Sequence, residues 1–245
     1  PPTPLSEPDL VERAGAPPAT SAAERAGRPL RLAHRGVHGG ALGHAENTLP
    51  ALLAAAPTGC DGVEFDLRFS RDGVPVIIHD ETLARTHGDE RAVSDLDASE
   101  LRLLDVPTLA EALALLPDTL FLDLELKEPP LPNFFEVLRA RSIDAGAQLV
   151  ISSFDEDALR DVGRRAPFWS RWLNVESPSA EVHARALALE VDGVSVEKSL
   201  LGSEWVRDLQ AAGLELAVWT LRTRDDLAYL SHPGLVAACV EAEAR

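Results

Sequence analysis

Beyond Leu30 the chain alternates two apolar patterns: short stretches with every second residue apolar, as a strand requires, and longer ones with apolar residues three or four apart, as on a helix face. Leu30–His34 predicts a short strand. Thr48–Ala56 predicts a helix, with Thr48 at its N-cap and Leu49, Leu52, Leu53 and Ala56 on one face. Val63–Phe69 alternates strictly, so Val63, Phe65, Leu67 and Phe69 share one face and Glu64, Asp66 and Arg68 the other. Arg71-Asp72-Gly73 signals a turn before a strand over Val74–His79. A two-residue Asp72-Gly73 loop would pair Arg71 with Val74 and set Asp66 opposite His79.

Thr108-Leu109-Ala110-Glu111 is a capping box ahead of a helix carrying Leu109, Leu113 and Leu116. Leu120–Lys127 alternates again, with Asp123, Glu125 and Lys127 on its polar side. Strand-then-helix units follow at Gln148–Phe154 with Asp155–Arg165, and at Trp172–Glu176 with Ala180–Leu189. Two more pair Val191–Val196 with Ser203–Ala212 and Leu214–Leu221 with Arg224–Leu230, before a last strand over Leu235–Val240. Such alternation predicts parallel strands with outer helices, in a barrel or a doubly wound sheet. Charged residues at the C-terminal ends of several strands favour a (β/α)8 TIM barrel, the α/β fold that assembles sites on that rim. One strand more is predicted than such a barrel uses, and the surplus disappears if Val74–His79 folds back as a hairpin arm or replaces a β/α unit. Residues 1–28, rich in Pro and Ala without apolar periodicity, are expected to be a poorly ordered arm, and residues 29–245 a single barrel domain.

Composition narrows the function. The formal charge of −17 argues against nucleic acid or an anionic membrane as main partner, so an anionic substrate must be held by local positive charge. No apolar run approaches the ~20 residues of a spanning helix, so stable membrane insertion is not expected. Cys60 and Cys239 are too few for a disulfide framework and sit by apolar runs, as small buried hydrophobes do. A reducing, cytoplasmic compartment is expected, although a chain starting at Pro1 is also what removal of an export signal would leave. Oligomeric state is not legible.

The chemistry lies in four short strings that end predicted strands: His34-Arg35, Glu64-Phe65-Asp66, His79-Asp80 and Glu125-Leu126-Lys127. Carboxylates at Glu64 and Asp66, two apart on a strand, repel one another unless a cation lies between them. The alternative, a solvent-facing strand edge, conflicts with the apolar flanks. Glu125 suits the same cation, and equally a salt bridge to Lys127. An all-carboxylate set suits Mg²⁺ or Ca²⁺ better than zinc. Three carboxylates around one dication leave net negative charge, which Arg35 and Lys127 balance toward a phosphate. His34 and His79 each end an apolar strand and precede a charged residue, placing them as an acid-base pair rather than as core histidines.

These strings occur in a longer series: His-Arg-Gly, Glu-Asn-Thr, Glu-Phe-Asp, Asp-Gly-Val-Pro-Val, His-Asp, Pro-Thr-Leu, Glu-Leu-Lys, Ser-Ser-Phe and Trp-Thr. In that order, from Leu30 to Thr220, they resemble the glycerophosphodiester phosphodiesterase family of distorted (β/α)8 barrels. The resemblance implies hydrolysis of a small glycerophosphodiester to glycerol 3-phosphate and an alcohol, with a divalent metal at the barrel mouth. It implies metal carboxylates at Glu64, Asp66 and Glu125, acid-base catalysis by His34 and His79, phosphate-facing cations at Arg35 and Lys127, and a substrate-side aromatic at Trp219. Glu46 and Asn47 match the family's Glu-Asn. Ala45 stands where a proline is usual, Val240-Glu241 where Thr-Asp is common, and the segment from His79 to Pro107 is short. The Gly-rich stretch Val37–Ala45, with His38 and His44, is expected to be an exposed loop. Core packing is expected for Trp169, Trp172 and Phe154 ahead of a place in the pocket, and Lys198 and Glu176 are weaker candidates for touching substrate. Two other readings remain: a phospholipase D-like barrel acting on lysophospholipid headgroups, and a non-enzymatic phosphate-ligand module, which loss of either imidazole would have favoured.

Overall fold

The computed structural model describes residues 18–141, 148–177, 181–241 and 244. Its strands are β1 (Leu30–His34), β2 (Gly62–Phe69), β3 (Pro75–Ile77), β4 (Phe121–Leu126), β5 (Leu149–Ser153), β6 (Ser170–Val175), β7 (Gly193–Glu197), β8 (Glu215–Leu221) and β9 (Leu235–Val240). All except β3 run parallel, and β1 bonds to both β2 and β9, which closes an eight-stranded (β/α)8 barrel. The helices are α1 (Pro18–Ala26), α2 (Leu49–Leu53), α3 (Ala84–His87), α4 (Ala98–Arg102), α5 (Leu109–Leu115), α6 (Pro132–Ala140), α7 (Glu156–Arg165), α8 (Val182–Ala188) and α9 (Glu204–Ala211). None is long and apolar enough to cross a membrane.

Strand alternation divides the interior into two apolar zones. Val63, Phe65, Leu67 and Phe69 of β2 point outward into the layer shared with Leu109 and Leu113 of α5 and Phe134 and Leu138 of α6. Inside the barrel, Leu32, Phe121, Val150, Trp172 and Ala217 fill the N-terminal end with an apolar plug. The strands' C-terminal halves turn polar residues inward, which places the polar lining at the mouth. Cys60 and Cys239 are free and buried.

Several expected elements differ in detail. The surplus strand is β3, a short antiparallel arm on β2 outside the ring. Its register is Leu67↔Ile77 and Phe69↔Pro75, with the Ser70 N–H bonded to the Val74 carbonyl, so the loop holds three residues and Asp66 is not opposite His79. Ser70 explains the shift: its hydroxyl accepts from the Val74 N–H and donates to Asp72, while Gly73 takes φ 78°. α2 ends early, at Leu53, and a separate 3-10 turn over Ala56–Thr58 takes up Pro57; α2 buries Ala51 and Leu52 while Leu53 is exposed. Asp225–Ser231 is a 3-10 helix where an α-helix was expected, and α6 was not foreseen.

The arm expected over residues 1–28 contains α1; residues 1–17 lie outside the described residues. Ala19 and Ala22 pack into the apolar plug, and the Thr20 N–H and hydroxyl both donate to Glu215 Oε1 at 2.6 Å. Trp172 Nε1 donates to the other oxygen at 2.8 Å. Burial pushes the Glu215 carboxyl above its usual range, and these donors oppose that rise. Glu215→Ala strands three donors and is expected to lower unfolding stability by about 2–4 kcal/mol, read from urea denaturation; a loss under about 0.5 kcal/mol would show that α1 is not anchored there.

Candidate active site

The site begins where β1 ends. Arg35 takes φ 54° and Gly36 φ 77°, a reversal that brings the chain against α2. A Cβ on Gly36 would lie 2.6 Å from the Ala51 carbonyl carbon, so the position admits only glycine. The turn aims the Arg35 N–H at Glu64 Oε2, 2.9 Å away, while the guanidinium reaches Glu46 Oε1 at 2.8 Å and Asp66 Oδ2 at 3.4 Å. Asn47, also at positive φ, donates from Nδ2 to Asp66 Oδ2 at 2.7 Å. Glu46 and Asn47 thus organise the loop around Arg35 and Asp66, and Glu46 is outside the acid cluster.

Parallel pairing of β2 with β4 sets Asp66 beside Glu125 and Glu64 beside Asp123. Glu64, Asp66 and Glu125 each offer an oxygen within 4.8 Å of the others. Lys127 bridges Asp66 Oδ1, at 2.8 Å, and Glu125. Burial raises the Glu64 carboxyl well above its usual range, and Asp66 and Glu125 add to the rise. Burial likewise pushes Glu125 up to about 7, against the pull of Lys127. Burial acts the same way on Asp66, but Lys127, then Arg35 and His79, outweigh it and hold that carboxyl below the usual range. Glu64 Oε1 is buried and accepts no hydrogen bond from any described residue. An unmatched anionic oxygen facing two further carboxylates fits a hard cation.

That electrostatic load predicts a pH-dependent response to metal. The unfolded chain releases the Glu125 proton near 4.5 and the folded protein only at about 7, so metal-free stability falls as pH rises through that window. A bound dication keeps the carboxylates ionised and removes the loss. The rise in Tm on adding Ca²⁺ or Mg²⁺ is therefore expected to be larger at about pH 7.5 than at about pH 5; an equal or reversed shift would contradict metal ligation by these acids.

Both imidazoles are held by their Nδ1 atoms. His34 Nδ1 donates to Glu241 Oε1, and His34 Nε2 stands 3.9 Å from Glu64 Oε2. His79 Nδ1 donates to Asp80 Oδ1 at 2.7 Å, and Arg68 Nε holds the His79 carbonyl at 2.9 Å. Each ring is thereby fixed in orientation, with Nδ1 rather than Nε2 spent on the carboxylate. Burial opposes charging of His79 and lowers its pKa. Hydrogen bonds from Arg85, with His79, bring Asp80 down to about 2; Glu241 also falls to about 2, where His34 and Arg222 overcome its burial. Arg85 joins the two halves of the site, donating to Asp80 and, from Nη2 at 2.6 Å, to Glu46 Oε1.

His34, Arg35, Glu64, His79, Glu125 and Lys127 line one cavity of about 670 Å³, within the range of small-molecule sites, and Trp219 closes its far side. Trp169 and Trp172 are core residues, whereas Phe154 and Glu176 line the cavity. Lys198 is tied to Asp226 at 2.8 Å. The Gly-rich loop is not wholly exposed: Val37 is buried, and His38 is half-buried with Nε2 3.9 Å from Glu241. Sequence reasoning missed Glu241, Asp80, Arg85 and Asp123 as parts of the site. Asp123 is buried beneath Glu125, accepts from Ser152 Oγ at 2.6 Å and is pushed up to about 7 by burial. Glu241 and Asp80 had a legible signal, a carboxylate one residue beyond a strand end or a histidine.

The sequence profile of the Glycerophosphoryl diester phosphodiesterase family matches residues 34–241. A glycerophosphodiester phosphodiesterase of Caldanaerobacter subterraneus is 30% identical over 85% of this chain and 92% of its own. The solved structure of an Oleispira antarctica phosphodiesterase in complex with its product sn-glycerol-3-phosphate superposes with a TM-score of 0.77 at 28% identity, covering 88% of this chain and 94% of that one. A glycerophosphodiester phosphodiesterase structure from Thermotoga maritima gives 0.73 at 26% identity over 86% and 94%.

Proposed function

The chain belongs to the glycerophosphoryl diester phosphodiesterase family and is a phosphoric diester hydrolase, and we propose that it cleaves glycerophosphodiesters to glycerol 3-phosphate and an alcohol by metal-dependent, two-histidine acid-base catalysis. The observation that carries this reading is the convergence of Glu64, Asp66 and Glu125 within ligand distance of one another beneath two imidazoles of fixed orientation.

Glu64, Asp66 and Glu125 would hold a dication, and their oxygen-only donor set favours Mg²⁺ or Ca²⁺. The chemistry such an ion would supply there is Lewis-acid withdrawal of charge from the phosphate. Arg35 and Lys127 face the remaining phosphate charge as forked and point donors. One imidazole Nε2 takes the proton of the attacking hydroxyl as its oxygen bonds to phosphorus. The other gives a proton to the alcohol oxygen as the opposite P–O bond breaks. The attacking hydroxyl belongs to water or to the substrate's own glycerol 2-position; the second route passes through a cyclic phosphate that water then opens. Trp219 closes the pocket on the substrate side.

The test is release of glycerol 3-phosphate from a deacylated, water-soluble diester beside release of the headgroup from lysophospholipid. Faster turnover of the soluble diester is the expected result. Turnover confined to the lipid would replace this reading with a phospholipase D-like one.

A further inference from the structure

A second group of ligand atoms lies on the Nδ1 side of His34. Ala33 pairs with Val240 where β1 meets β9, so the next residues of the two strands, His34 and Glu241, stand side by side, and His34 Nδ1 donates to Glu241 Oε1. His38 approaches the same oxygen, with Nε2 3.9 Å away. Each of the three residues offers one ligand atom within 4.8 Å of the others. His38 is held there by a turn pinned on both sides: the Val37 N–H donates to the Ala51 carbonyl at 2.8 Å, and the Gly39 N–H to the His44 carbonyl at 2.9 Å. Burial of this ring lowers its pKa and favours the neutral imidazole, the form that ligates metals.

From this geometry we infer that His34, His38 and Glu241 form an inhibitory zinc site, separate from the three-carboxylate set, which stops the hydrolase by capturing one of its two catalytic imidazoles. Two imidazoles and a carboxylate are a donor set that zinc takes tetrahedrally, with water as the fourth ligand and bonds of about 2.0–2.2 Å. Such bonds put neighbouring ligand atoms roughly 3.4 Å apart, so the 3.9 Å gap closes by about 0.5 Å while the His34–Glu241 contact opens. Arg222 Nε keeps to the other Glu241 oxygen at 3.0 Å. Net charge does not drive binding, because Glu46, Glu64 and Glu241 around the group are faced by Arg35 and Arg222. The nitrogen ligands do, and they select zinc where the oxygen-only set selects Mg²⁺ or Ca²⁺. Capture of His34 blocks proton exchange at a defined atom. With zinc on the Nδ1 lone pair, the single ring proton sits on Nε2, which then cannot accept a proton from the attacking hydroxyl, and giving that proton up would leave an imidazolate. Neither role open to His34 survives.

This inference rests on the hydrolase reading above, and one arm of its test does not. Zn²⁺ is titrated against turnover of a water-soluble glycerophosphodiester at saturating Mg²⁺. At saturating zinc kcat is expected to fall by about 10²-fold, as for loss of His34, and to stay low when more Mg²⁺ is added. The His38→Gln variant is expected to keep its basal turnover and to need about 10²-fold more zinc for the same inhibition. Full activity in zinc, relief by added Mg²⁺, which would place the zinc at Glu64, Asp66 and Glu125, or equal zinc sensitivity in the variant overturns the site. Should no diester be hydrolysed, the hydrolase reading fails, and anomalous-difference maps from wild-type crystals soaked in Zn²⁺ with excess Mg²⁺ still decide. A zinc peak bonded by His34 Nδ1, His38 Nε2 and Glu241 supports the site, and its absence overturns it.

Discussion

Replacing either His34 or His79 with alanine is expected to lower kcat by about 10²–10⁴-fold, while calcium affinity measured by calorimetry changes little. The expectation follows from where the rings are held. Neither belongs to the set Glu64, Asp66 and Glu125, and each spends Nδ1 on a carboxylate, Glu241 or Asp80, with Nε2 left for the reacting oxygens. A ring that only filled space would cost stability and leave turnover alone. Because the two act in one proton exchange, the double variant is expected to lose little more than the worse single one. Unchanged turnover in either single variant would remove that histidine from the chemistry.

The second large effect is on the metal. Stripping divalent cations with EDTA is expected to lower kcat by about 10³-fold, the several kcal/mol of charge stabilisation a Lewis acid supplies, with recovery on adding Mg²⁺ or Ca²⁺. Two substitutions separate ligation from scaffolding. Asp66→Asn leaves Lys127 and Arg35 facing a neutral amide, and is expected to cost about 3–5 kcal/mol of stability along with activity. Glu64→Gln relieves a carboxylate that burial and two acidic neighbours oppose, so the metal-free protein is expected to melt higher while activity is lost. Were Glu64 a structural ion-pair partner, the same change would lower Tm and spare turnover.

Much of this was legible because the barrel imposes a two-residue period on every strand. Glu64 and Asp66 had to share a face, Glu125 and Lys127 had to share another, and parallel pairing of β2 with β4 joins the two faces. The antiparallel arm was also legible, but its register was not. One serine hydroxyl bonding across the loop moved the pairing by a residue, and His79 reaches the site from a position one step beyond the expected one. α1 escaped notice because its alanines show little amphipathic contrast; what makes it a helix is the barrel floor, through Glu215 and the plug around Trp172. The partners of the histidines were legible as charged residues but not as partners. Arg85 comes from a short helix outside the ring and Glu241 from just beyond the last strand, so the meeting of Arg85 with Asp80 and of Glu241 with His34 depends on how distant elements pack.

The most direct test is an anomalous-difference map from crystals soaked in Mn²⁺, a scatterer that prefers carboxylate oxygen. One peak bonded by Glu64, Asp66 and Glu125, with the His34 and His79 rings beside it, is the predicted result. A peak among His34, His38 and Glu241 instead, the other group whose ligand atoms lie within 4.8 Å among the described residues, or none at the three acids, would contradict it.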